Sequence, residues 1–237
     1  KNNNAQISIS FLSRTNMLIL LSNITLFLKH KIIVCDRNNP LEEHSKFYFY
    51  MSCLLYNFAS LICVQTYQIK SFYPKYLQNK IKVIENPLDS EALNAQIDIV
   101  PTREKRIISI GRLEPQKDFI TLINAFSNIL HTYPDWNLDI YGVGYMHEII
   151  NELINKKNLS QFVHLKGHTT KPFYELKKSS IFVLSSNYEG FPNVLCEAMY
   201  AEDICIASDC ISGPKELIHH GENGWLFKIG DENELTK

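Results

Sequence analysis

Short apolar runs recur along this chain, each closed by polar or turn-forming residues. They fall at Ile7–Phe11, Ile32–Cys35, Leu61–Val64, Lys82–Ile84, Ile107–Gly111, Asn137–Tyr141, Phe162–Leu165, Ile181–Leu184, Ile204–Ala207 and Trp225–Phe227. Runs this short and apolar fit strands of a buried parallel sheet. Between them, Phe119–His131, Met146–Lys156, Pro172–Ser179, Pro192–Tyr200 and Pro214–His219 carry apolar residues at helical spacing. Proline opens several of these, where a first helical turn tolerates its missing N–H. Strand and helix patterns in alternation predict an α/β fold of parallel sheets with helices on both faces.

The longest apolar stretch, Met17 to Leu28, is broken by Ser22, Asn23 and Thr25. It falls short of the roughly 20 residues of a spanning helix, and the polar start with Arg14 does not follow the order of a secretory signal. A buried core helix is the expectation there. The alternative is a helix leaning on a membrane surface, which a lipid-linked substrate would make useful.

Prolines and charges from Asn86-Pro87 through Pro101 to Arg106 read as an interdomain linker. They divide the chain into a domain over 1–100 and another over 101–237. The second has six strand candidates and the first has four, with no glycine before Gly111. A doubly wound domain ordinarily opens on a glycine-rich turn, so the N-terminal domain is expected to be incomplete.

Charge and cysteine content narrow the picture. With 24 basic against 25 acidic residues, net charge −1, nothing draws a nucleic acid. The six cysteines show no CxxC or zinc-like spacing; they are expected to be reduced and buried, in a cytoplasmic protein. HExxH, GxSxG and P-loop signatures are missing, as is a DxD-type carboxylate pair beside a strand end.

Candidate chemistry lies where strands run into helices. After Ser180–Ser185 come Glu189, Gly190, Phe191, Pro192, Asn193, Val194 and, eight positions beyond the first glutamate, Glu197. Gly190 permits close approach, Pro192 suits a helix start, and first-turn amides offer an anion site. Glu189 in the loop and Glu197 in the helix could each accept from hydroxyl groups. The run Ile107–Asp118 ends its strand at Gly111 and follows with Arg112 and Lys117, a pair able to clamp a diphosphate. A solvated surface pair with Asp118 capping the next helix accounts for the same residues. Gly142 and Gly144 sit in a third strand-to-helix turn, where tight backbone geometry alone would explain them.

Taken together, Gly111-Arg112-Leu113 with Lys117, the E-x7-E element Glu189–Glu197 after Ser185-Ser186, and Gly213-Pro214-Lys215-Glu216 with Gly221-Glu222-Asn223-Gly224 resemble the retaining glycosyltransferases of family 4. That resemblance implies a GT-B architecture: two Rossmann-like, doubly wound parallel-sheet domains facing a cleft, with the last helix expected to be cut after Lys237. It implies that Arg112 and Lys117 hold a donor diphosphate, helped by amides around Gly190–Asn193. Glu189 would contact the donor sugar and Glu197 the ribose, with no metal and no cofactor besides the nucleotide-sugar substrate. The stretch Ile33-Val34-Cys35-Asp36-Arg37-Asn38-Asn39-Pro40 is similar to an S-E-R-N-x-P pattern in a branch acting on lipid-linked oligosaccharides and surface polysaccharides. Cys35-Asp36 departs from Ser-Glu. Asp36, Arg37 and Asn38 could meet an acceptor there, or form a polar loop capping the next helix.

The expected activity is therefore transfer of a hexose or N-acetylhexosamine from a nucleotide sugar, UDP-linked in the first instance, to a glycan or lipid-linked acceptor with retention of configuration. The expected location is the cytoplasm, with peripheral contact at the inner membrane face. Two other readings stay open: a nucleotide-sugar binding module or inactive partner subunit, and a GT-B-fold UDP-sugar epimerase.

Overall fold

The computed structural model describes residues 6–28, 30–43 and 45–237 of the chain. They form two compact units. The first comprises Lys1–Asn86 with the short pieces Glu189–Phe191 and Ile211–Gly213; the second comprises Pro87–Tyr188, Pro192–Cys210 and Pro214–Lys237.

In the first unit β1 (Ile7–Phe11), α1 (Ser13–Thr25), β2 (Lys31–Asp36), α2 (Pro40–Glu43), α3 (Lys46–Tyr56), β3 (Leu61–Val64), α4 (Tyr67–Phe72) and β4 (Ile81–Val83) follow one another. The strands make one parallel sheet in the order β1-β2-β3-β4. Because that order never reverses, right-handed crossovers all fall on one face. Ile32, Val34, Ile62, Val64 and Ile81 point to that face and bury against Leu20 of α1, Phe49, Cys53 and Tyr56 of α3, and Ile69 of α4. The opposite residues of β1, Ile7, Ile9 and Phe11, are exposed. Side-chain oxygens cap the helices: Ser45 accepts from Tyr48 N at 3.3 Å and Thr66 from Ile69 N at 3.1 Å.

The apolar stretch expected to be a buried helix is neither placed nor buried as the pattern implied. Helix α1 starts at Ser13, and only Ser13, Asn16 and Leu20 are buried. Leu18, Leu21, Leu26, Phe27 and Leu28 are exposed. A helix on one face of a sheet needs only a narrow buried stripe, and here two of its three buried residues are polar, bonded to Asp36 as described below.

The second unit runs α5 (Ser90–Asn94), β5 (Arg106–Ile110), α6 (Phe119–Ile129), β6 (Asn137–Tyr141), α7 (His147–Lys156), β7 (Val163–Gly167), α8 (Pro172–Lys178), β8 (Ile181–Leu184), α9 (Asn193–Tyr200), β9 (Ile204–Ser208), α10 (Pro214–Leu217), β10 (Trp225–Phe227) and α11 (Glu232–Thr236). Its six strands are parallel in the order β10-β9-β8-β5-β6-β7. The winding reverses between β5 and β8, so helices cover both faces. Ile107 packs with Phe119, Leu122 and Phe126 of α6, while its neighbour Ile108 packs with Phe173 and Leu176 of α8. That is why the strand is apolar at consecutive positions. Each fully buried side chain of this size contributes about 1.5–3 kcal/mol.

Residues 87–106 are not an open linker. Asp89 caps α5 by accepting from Ala92 N at 3.0 Å, and Leu93 enters the core beside α8. Arg103 donates to Asp203 at 2.9 Å. Arg106 is buried, its Nη1 donating to Asp139 at 3.1 Å and Glu175 at 2.9 Å. Nor are all the cysteines buried: Cys53, Cys205 and Cys210 are, whereas Cys35, Cys63 and Cys196 are partly exposed, and all six are free. Among the described residues no helix is long and apolar enough to cross a membrane.

Candidate functional site

The loops that leave β5 and β8 lie at the strands' carboxyl ends where the winding reverses, the usual ligand position in such sheets. Residues 111–118 follow β5, and 185–188 follow β8. Hydrogen bonds stitch the two together. Ser185 Oγ donates to Lys117 O at 2.8 Å, Asn187 N to Gln116 O at 2.7 Å, Asn187 Nδ2 to Pro115 O at 2.8 Å, and Gln116 Nε2 to Tyr188 O at 2.9 Å. Buried Ser109 ties the strands beneath, donating to Val183 O at 2.7 Å.

Lys117 lies across Gly111: a Cβ there would stand 3.1 Å from its Cγ, Cδ and Cε. Gly111 thus provides the floor over which the lysine stem runs. Arg112 goes elsewhere, exposed and ion-paired with Glu114 at 3.1 Å, with Gln116 Oε1 3.3 Å from its Nη2. The two cations expected to act as a clamp stand on the same loop after β5. Asp118 adopts the left-handed conformation (φ 43°) and caps α6, accepting from Thr121 N at 3.3 Å and Thr121 Oγ1 at 2.7 Å.

Gly142 and Gly144 are explained by backbone packing against this same loop. Gly111 N donates to Tyr141 O at 2.9 Å and Leu113 N to Val143 O at 3.0 Å. At Gly142, where φ is 144°, a Cβ would lie 1.8 Å from Gly111 O; at Gly144 it would lie 2.3 Å from Leu113 O. The glycines let the loops after β5 and β6 run side by side, and so they set the height of the Gly111 floor.

Helix α9 begins one position later than the proline pattern implies. Pro192 is its N-cap, with φ −80° and ψ 85°, and as a proline it offers no side-chain cap of its own. Leu195 N bonds back to Pro192 O at 2.9 Å. Asn193 is exposed and Val194 half-buried at an end whose amides carry partial positive charge. Glu197, one turn in, is half-buried, and burial pushes its carboxyl above the ordinary range.

The remaining candidates sit in the first unit. Glu189 is buried, and its carbonyl accepts from Ser212 Oγ at 2.5 Å. Ser212 N in turn donates to Gln68 Oε1 at 2.8 Å. Gly190 is pressed to the chain at Arg37–Asn38: a Cβ would be 2.4 Å from Arg37 O and 2.9 Å from Asn38 Cα. Phe191 is half-buried beside it. Arg37 is exposed, and Asn38 Oδ1 accepts from Asn39 N at 3.0 Å.

Asp36 does not meet the outside, contrary to its expected place at an acceptor. It is 4% exposed. Its Oδ1 accepts from Asn16 Nδ2 at 3.0 Å, Tyr56 OH at 2.9 Å and Ser13 Oγ at 3.4 Å, and its Oδ2 from Tyr56 OH at 3.0 Å and Tyr73 OH. Burial pushes this carboxyl up, against the pull of Tyr73, Tyr56, Asn16 and Ser13. Sequence reasoning missed these partners, together with Gln68 and Ser212, because they are scattered over several elements far apart in the chain and none stands in a motif.

A profile of the family described as Glycosyl transferases group 1 matches residues 73–237, more than half of the chain. The chain belongs to this family. The match takes in β4 and the whole second sheet, so membership in glycosyl transferases group 1 rests on the region carrying Gly111, Lys117 and Glu197. An uncharacterised glycosyltransferase of Methanocaldococcus jannaschii is 34% identical over 230 residues, covering 90% of this chain and 55% of the relative. The N-acetylgalactosamine-N,N'-diacetylbacillosaminyl-diphospho-undecaprenol 4-alpha-N-acetylgalactosaminyltransferase of Campylobacter jejuni is 27% identical over 238 residues, covering 95% and 63%. Among solved structures, Anabaena HepE in complex with UDP superposes with a TM-score of 0.81 at 19% identity, covering 97% of this chain and 67% of that one. The lipopolysaccharide outer core galactosyltransferase WaaB superposes at 0.75 with 22% identity, covering 98% and 64%. Those likenesses show the GT-B fold. The chain spans 55–63% of the length of the two curated relatives named.

Proposed function

We propose that this chain acts in transferring a hexose or N-acetylhexosamine from a UDP-linked sugar to a glycan or lipid-linked acceptor, with retention of configuration and without a metal. The observation that carries the reading is in the second unit. A lysine stem is laid over a glycine floor at the winding reversal of a doubly wound sheet, and helix α9 follows the adjoining β8. A cation and helix amides are what a departing diphosphate requires. Lys117 supplies the point charge. Arg112, exposed, can exchange Glu114 for phosphate oxygens, since a surface ion pair is worth only about 0–1 kcal/mol.

In this reading Glu197 accepts from the ribose hydroxyls and Glu189 from the donor sugar. The bond between the anomeric carbon and the diphosphate oxygen breaks, and the acceptor oxygen bonds to that carbon on the same face. The acceptor proton passes to the departing phosphate oxygen. No general base from the chain is then needed, which agrees with a Glu197 set inside a helix for hydrogen bonding. HepE, solved with UDP, supports the choice of nucleotide, and the Campylobacter enzyme, named for a diphospho-undecaprenol acceptor, supports that of a lipid-linked glycan. The exposed Leu18, Leu21 and Phe27 of the α1 region support peripheral contact with the inner membrane face of the cytoplasm.

Calorimetric titration of the chain with UDP, GDP and ADP, followed by transfer assays from the sugar nucleotides of whichever binds, tests this. Tight UDP binding with turnover that Glu197→Ala abolishes is the expected result. Binding without turnover would favour a nucleotide-sugar binding module instead, and epimer formation without acceptor would favour an epimerase.

A further inference from the structure

Asp36 is buried without a basic partner among the side chains that bond to it. Its donors come from both ends of the sequence of the first sheet: Ser13 and Asn16 from α1, Tyr56 from the end of α3, and Tyr73 from the residue closing α4. A buried carboxyl that gathers hydroxyl and amide donors from three helices fixes whatever lies next to it, because each bond that is broken leaves an uncompensated polar group. What lies next to it is Arg37–Asn38, whose backbone abuts Gly190 so closely that no side-chain atom fits between them. Gly190 adjoins Glu189, and Ser212 holds the Glu189 carbonyl from the other direction.

We propose that Asp36 is a positioning residue: through Arg37–Asn38 it seats Gly190, and so holds Glu189 at the place where the transferred sugar is read. The inference rests on the transferase reading above for the role of Glu189, but the mechanical link stands on the first unit's own contacts. It assigns the polar residues of α1 and two buried tyrosines to the site, although none of them touches substrate. It also explains why Asp36 occupies the end of β2 in a stretch that resembles an acceptor motif while pointing inward.

The test compares Asp36→Asn, Tyr73→Phe and Gly190→Ala in the intact chain by amide hydrogen exchange and steady-state kinetics. Asp36→Asn is expected to speed exchange at 37–39 and at 189–191 about tenfold, with β5 and β6 unchanged. Tyr73→Phe, which removes one donor and spares the fold, should do the same to a smaller degree. In Asp36→Asn and Tyr73→Phe, UDP affinity should stay within about twofold of wild type, while kcat for transfer falls about tenfold to a hundredfold. Asp36→Asn combined with Gly190→Ala should be no worse than the poorer single variant, since both break one link. Unchanged exchange at 189–191 in Asp36→Asn and Tyr73→Phe would overturn the proposal, as would equal losses of UDP affinity and kcat. If exchange responds as expected but wild type binds no nucleotide and transfers no sugar, the link stands and the transferase reading falls.

Discussion

Replacing Gly142 by alanine probes the loop that supports the candidate donor site. The Cβ would lie 1.8 Å from Gly111 O, against the 3.0 Å that such contacts require, so the two loops must separate by about 1.2 Å. The backbone is also at φ 144°, where an L side chain is strained by roughly 1–3 kcal/mol. Overpacking adds about 1–3 kcal/mol. The sum, about 2–6 kcal/mol, corresponds to a fall in Tm of at least roughly 4 °C for a chain of this size. Gly221 is the control: φ there is 81° with open space around the added atom, so alanine bears only the left-handed strain, about 1–2 kcal/mol. Because Lys117 runs over Gly111, the loop displacement should also weaken UDP binding in Gly142→Ala and leave it intact in Gly221→Ala. Differential scanning calorimetry and UDP titration read both effects. Equal Tm values and equal affinities for the two variants would refute the argument that loop contact, rather than backbone conformation alone, demands Gly142.

Arg106→Met leaves Asp139 with only His164 at 2.8 Å and Lys166 at 3.7 Å; the expected loss is about 3 kcal/mol, or roughly 6–12 °C in Tm, and an unchanged Tm would show that the buried ion cluster contributes nothing. Burial pushes the Asp203 carboxyl up to about 6, with Ser179 and Arg103 pulling the other way. A carboxyl raised in the folded state binds its proton more tightly there than in the unfolded chain, so its contribution is fully present below about pH 4 and is lost as pH rises toward 6. Asp203→Asn should therefore remove a downward component of Tm between those pH values, and a superimposable pH profile would contradict it. Leu18→Ser with Leu21→Ser, both exposed, should leave Tm unchanged and reduce co-sedimentation with phosphatidylglycerol vesicles; equal sedimentation would remove α1 as the membrane contact.

Much of the second unit was legible because its physics is local. Buried parallel strands show as apolar runs, and β6, β8 and β10 have the bounds read from the pattern. Loop glycines at 111, 142 and 144 mark strand ends. What could not be read was direction. Nothing in Arg112 itself says that it turns to Glu114 rather than away from it, and nothing in Asp36 says that it turns inward, because that choice depends on Tyr56 and Tyr73, which arrive from other elements. Helix α1 was misjudged for a related reason: its apolar residues mark no single face, and the stripe that is buried begins with Ser13 and Asn16, whose value lies in bonding Asp36. Short helices such as α5 escaped notice because the prolines and charges around them read as a linker, while Leu93 alone reveals the packing.

In the proposed reading, the Gly111–Lys117 loop and the start of α9 form a binding site for the diphosphate of a UDP-sugar. Titration of wild type and Lys117→Ala with UDP measures it most directly. A loss of affinity of at least about tenfold in the variant, the scale of a charge-assisted hydrogen bond, is the predicted result. Equal affinities in the two proteins, or no binding of any nucleotide by wild type, would contradict it.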